Sequence, residues 1–123
     1  MNPDLQLPPN RKETFEQRLG PLGGPVRAVL ERFDVEALSA PSAREILEVC
    51  LELALFLIEK NRAYGDSALK PVRVFSKADP AEQIRVRMDD KLSRLMRGEA
   101  AGEDALKDLV GYWVLLQIAD KGG

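Results

Sequence analysis

The chain contains no histidine and a single cysteine, Cys50. The first absence removes the usual general base, the Ser-His triads and the commonest zinc ligand. The second leaves Cys50 without a disulfide partner in its own chain, as is usual in a reducing compartment, so a cytoplasmic protein is expected. Aromatics are scarce: one Trp, two Tyr and four Phe. A core must therefore come from Leu, Val, Ile and Ala, which suits helix packing. No apolar run is long enough to span a bilayer, since residues 46–58 are too short and too acidic. The opening MNPDLQLPPNRKETF has no apolar stretch of signal-peptide type.

What remains is an ordinary globular composition: 123 residues, 45% hydrophobic and 31% charged. That length supports one domain with a modest core. We read residues 1–13 as a flexible arm and 14–123 as a single helical domain. The net charge is −2 with a pI near 5.3, which argues against a long nucleic acid as partner. The charge is uneven. Residues 60–97 hold ten Lys or Arg against five acids. A basic centre between acidic helices suits a small phosphate-bearing ligand.

The stretch 80–119 organises the rest. Asp79-Pro80-Ala81-Glu82 is a helix start with a cap, a proline at the first position and Glu at the third. The helix is expected to run to Arg97 and stop at Gly98. Ala81, Ile84, Met88, Leu92, Leu95 and Met96 form its expected core face, with Lys91 at the edge. The last helix is expected from about Glu103. Asp104, Asp108, Gly111, Tyr112, Leu115 and Ala119 share one side of it. Acids in a first turn complement the helix dipole. Asp108 lies beyond that turn, on a face that becomes apolar, and is the carboxylate expected to be buried and functional.

Upstream, Thr14–Leu19 predicts a short helix and Pro25–Phe33 another. Ser42-Ala43-Arg44-Glu45 reads as a capping box opening a helix to about Arg62, apolar nearly all round. Such a helix is central or lies between subunits, so a homo-oligomer is expected. Its acids Glu45, Glu48, Glu52 and Glu59 fall in one stripe about 60° wide. The stripe is either a solvated strip or a carboxylate row for a cation. Gly65 ends the helix with a positive φ. A long connection over about 63–79 follows, of the kind that more often carries function than not. The fold class predicted is an all-α bundle of four to five helices.

The residues Lys60-Asn61, Tyr64-Gly65-Asp66-Ser67, then Asp90-Lys91-Leu92-Ser93-Arg94-Leu95, then Glu103-Asp104-x-Leu106-x-Asp108-Leu109-x-x-Tyr112 resemble the blocks of the small phage proteins called nucleotide-modification-associated. The resemblance spans about residues 45–119. A more distant one is to the all-α MazG-like nucleoside-triphosphate pyrophosphohydrolases, which hold Mg²⁺ with E-x-x-E and E-x-x-D motifs. Glu45-x-x-Glu48 fits the first; the second is broken, with Ala105 three before Asp108 and the acid at Asp104.

Three functions follow as expectations. As an enzyme, the chain would hold Mg²⁺ through Glu48, Glu52, Asp104 and Asp108, with Asp108, Asp104 and Glu48 catalytic and Lys91 and Arg94 neutralising phosphate charge. As a non-catalytic binder or sequestering protein, it would hold a nucleotide through Tyr64, Asp66, Arg73, Lys91 and Arg94. As a structural module, its charges would be surface pairs.

Overall fold

The computed structural model describes residues 14, 17–18, 20–98 and 104–122. The expected arm over 1–13, most of the expected helix 14–19, and Glu103 lie outside them. The fold is all-α, as expected. Among the described residues five α-helices are α1 (Gly23–Leu30), α2 (Val35–Leu38), α3 (Ala43–Ala63), α4 (Pro80–Met96) and α5 (Ala105–Gly122), with a 3-10 turn over Gly20–Leu22 before α1. None of the described helices is long and apolar enough to cross a membrane.

Two compact units divide between Leu47 and Glu48, inside α3. In the first unit, α1 begins two residues earlier than Pro25, at Gly23 with φ +75°. Pro25 then sits in the first turn, where its missing N–H costs nothing. The single turn of α2 was not anticipated. Asp34 caps it, its Oδ1 accepting from the Ala37 amide at 2.9 Å. The capping box at Ser42 does not form. Ser42 has φ +62° rather than the extended backbone an N-cap needs, so α3 starts without that side-chain bond.

The second unit holds the rest of α3 with α4 and α5. Asp79 caps α4, its Oδ1 accepting from the Glu82 amide at 2.8 Å, and Pro80 takes the first helical position. Gly98 follows α4 with φ +70°, the left-handed stop that a glycine supplies without strain. Helices α4 and α5 run antiparallel, because Arg85 near the start of α4 pairs with Asp120 near the end of α5 at 3.2 Å. Both side chains are about half exposed, so the pair orients more than it stabilises.

The fully buried centre is small: Ile84 of α4 and Ala105 of α5. Gly111 of α5 is buried as well. A Cβ there would stand 2.9 Å from Leu57 Cδ2, so the missing side chain is what lets α3 approach α5. The expected core face of α4 is rotated. Leu92 and Met96 are exposed, whereas Lys91 is largely covered. At 3.6 residues per turn Lys91 lies only about 20° from Ile84, against about 80° for Leu92 and 120° for Met96.

Candidate functional site

Three helices bring their side chains to one cavity of about 450 Å³, lined by Phe56, Leu57, Lys60, Asn61, Tyr64, Ser67, Ala68, Arg87, Lys91, Lys107, Asp108, Gly111, Tyr112 and Leu115. The volume is within the range of small-molecule sites, about 300–1,000 Å³. The contributions of α3 and α5 follow the same spacing. Phe56, Leu57, Lys60 and Asn61 of α3, with Tyr64 just past its end, mirror Lys107, Asp108, Gly111, Tyr112 and Leu115 on the other. Steps of one, three, one and three residues keep a side chain on one helical face through two turns. Arg87 and Lys91 come from α4, one turn apart.

The lining carries four cations, Lys60, Arg87, Lys91 and Lys107, against one carboxylate, Asp108. This is a positive pocket in a chain whose net charge is −2. Asp108 is held from two sides. Lys60 Nζ donates to Oδ1 at 3.4 Å and Lys91 Nζ lies 3.2 Å from Oδ2. Burial pushes the Asp108 carboxyl up, but the hydrogen bond from Lys91, the charges of Lys60 and Lys91 and the bond from Lys60 outweigh it. Its pKa is lowered below the ordinary carboxylate value. The carboxylate expected to be functional is thus half-buried at the heart of the site, paired with lysines.

Phe56 positions two of the cations. Lys107 Nζ sits 3.9 Å and Lys60 Nζ 5.5 Å from its ring centroid. The negative face of the ring attracts both and restrains their stems. Tyr64 and Tyr112 add two further aromatic faces to the lining.

An unusual turn follows α3. Gly65 and Asp66 both have φ +62°, and Asn61 Nδ2 donates to Asp66 Oδ1 at 3.0 Å. Asp tolerates the left-handed region better than most residues. The bond ties the end of α3 to the turn that carries Ser67 and Ala68 into the lining.

Of the expected site residues, Asp108, Lys91 and Tyr64 come together here. Asp66 does not line the cavity; it accepts from Asn61 and pairs with Lys70 at 3.8 Å. Arg94 lies one turn beyond Lys91 and pairs with Asp90 at 3.5 Å. Arg73 is in the long connection, where its Nη2 donates to the Lys77 carbonyl at 2.6 Å. Asp104 caps α5, accepting from the Lys107 amide at 3.0 Å. Glu48 and Glu52 are exposed on α3 and do not line the cavity. Among the described residues no three acidic or thiol side chains converge to hold a metal ion.

Sequence reasoning missed Phe56, Lys60, Arg87, Lys107 and Tyr112 as lining. The signal was the one-three-one-three spacing shared by 56–64 and 107–115. No protein-family model matches this chain, and neither a curated protein nor a solved structure does.

Proposed function

We propose that the protein binds a small phosphate-bearing molecule, of nucleotide type, in the α3–α4–α5 cavity and holds it without hydrolysis. The observation that carries this is the lining itself: four cations and two tyrosines around a single carboxylate. Lys60, Lys91 and Lys107 act as point charges for phosphate oxygens, and Arg87 adds a planar fork suited to two oxygens at once. Tyr64 and Tyr112 offer flat apolar faces to a base. The resemblance to phage nucleotide-modification-associated proteins favours a nucleotide over other phosphate esters, and with it a sequestering role.

Binding is preferred to hydrolysis because of where the acids are. A magnesium-dependent pyrophosphohydrolase built on Glu48, Glu52, Asp104 and Asp108 needs them around one ion. Here Asp108 is engaged by two lysines, Asp104 by its own helix, and Glu48 and Glu52 face away from the lining. Lysines on a carboxylate compete with a cation for its oxygens.

The test is mass analysis of the purified protein after incubation with a panel of nucleotides and Mg²⁺, reading retained ligands and products together. Retention of an unchanged nucleotide, lost in Lys60→Met/Lys91→Met, is the expected result. Release of monophosphate and pyrophosphate that stops on chelation would replace binding by catalysis. Neither retention nor turnover across the panel would leave a structural module.

A further inference from the structure

The second unit carries two exposed surfaces that the cavity does not use, and they are opposite in charge. The first is on α3. Leu51, Leu55 and Ile58 are each more than half exposed. They fall within about 60° of the helix circumference, and Glu48, Glu52 and Glu59 occupy the next 40° or so. No cation pairs with these three acids among the described residues. The surface is an apolar stripe with an acidic border.

The second is the 70–77 segment of the long connection. Phe75 is fully exposed and Val72 is 86% exposed, with Val74 beside them. Leaving an entire phenyl ring in water forgoes a large burial gain. The segment is nonetheless shaped. Arg73 Nη2 donates to the Lys77 carbonyl at 2.6 Å, and Lys77 Nζ donates to the Arg73 carbonyl at 3.1 Å. Arg73 is also held at φ +61°, a region long side chains seldom enter. Lys70, Arg73 and Lys77 surround the apolar tip, and neither Arg73 nor Lys77 meets a carboxylate among the described residues. This surface is an apolar tip with a basic border.

We propose that the two surfaces meet between two copies of the chain: the Phe75 turn of one docks on the Leu51–Leu55–Ile58 stripe of the other. Apolar groups meet apolar groups, and Arg73 and Lys77 face Glu48, Glu52 and Glu59. Exchanged reciprocally, the contact closes a two-fold dimer. The alternative of α3 against α3 is disfavoured by charge. Two copies related by a two-fold axis and set antiparallel bring like edges together, so the acidic border would oppose itself. The proposal is independent of what the cavity binds.

Sedimentation of the full chain tests it, with far-UV circular dichroism confirming helix content. The wild type is expected to be a dimer at micromolar concentration. Phe75→Ser, which removes a side chain free of contacts in one copy, should weaken association at least tenfold with helicity unchanged. Arg73→Glu/Lys77→Glu and Glu48→Lys/Glu52→Lys/Glu59→Lys should each be monomeric alone. Mixed together they should form a one-to-one dimer, because both contacts then pair opposite charges. A wild type that stays monomeric at 100-fold higher concentration overturns the proposal. So do turn variants that associate like the wild type while α3 variants do not, since that pattern is α3 against α3.

Discussion

Replacing Asp108 by Asn keeps the shape of the side chain and removes the one negative charge in the cavity lining. Two effects of opposite sign follow. The first is on stability. Asp108 and Lys91 approach to 3.2 Å with side chains 22% and 19% exposed, while Lys60 is 43% exposed. Solvent-exposed pairs contribute about 0.2–1 kcal/mol. Removing one partner of a fully buried pair costs about 3–5 kcal/mol. A partly covered carboxylate between two lysines belongs between these, and the expected loss is about 1–2 kcal/mol at pH 7. The folded-state pKa of Asp108 is depressed. Its contribution is therefore complete above the unfolded value of about 3.9. It is lost as the pH falls through the lower folded value. Urea unfolding at pH 7 should show the full gap between wild type and Asp108→Asn, and at pH 3 a smaller one. The second effect is on affinity. A unit charge about 4 Å away is worth about 1 kcal/mol even in water. Without Asp108, the cations should bind inorganic pyrophosphate about fivefold more tightly by calorimetry. Loss of pyrophosphate binding in the variant, or equal stability of the two proteins at pH 7, would refute this account of the site.

Four further outcomes are expected. Asp79→Ala removes the cap of α4 and should cost about 1 kcal/mol in urea unfolding, with no change in ligand retention. Gly111→Ala sets a helix-propensity gain of about 1 kcal/mol against a displaced Leu57 methyl and should be near neutral. Gly111→Val adds two more methyl groups at that contact and should destabilise by about 1–3 kcal/mol, read as a lowered thermal midpoint. Lys107→Met should weaken phosphate binding by calorimetry and cost no more than about 1 kcal/mol in urea unfolding, because exposed Lys107 contacts the Phe56 ring rather than a carboxylate.

The helices were legible where local chemistry decides them. Asp79 and Pro80 announced the start of α4, and Gly65 and Gly98 the ends of α3 and α4, because caps and positive φ depend on a few adjacent residues. Asp108 was legible as the central carboxylate from the apolar face it shares, although α5 starts at Ala105 and so places Asp108 within the first turn rather than beyond it. Its partners were not, since Lys60 is 48 residues away and reaches it only through the close approach that Gly111 permits. The rotation of α4 has a similar origin. Assigning its inner face by apolar residues alone favours Leu92 and Met96, but the inner face also borders a cationic cavity, and Lys91 takes that place. Ser42 shows the limit of motif reading. A capping box is a sequence pattern, and it fails when tertiary context sets the backbone of its first residue to φ +62°.

The two lysines on Asp108 give the cavity a resident anion of its own. In the proposed complex, a phosphate that took up Lys60 and Lys91 would compete with the carboxylate for them. Once displaced, Asp108 loses the bonds and charges that depress its pKa, while burial still raises it. The proposed anion capture would then be an exchange of one anion for another on Lys60 and Lys91.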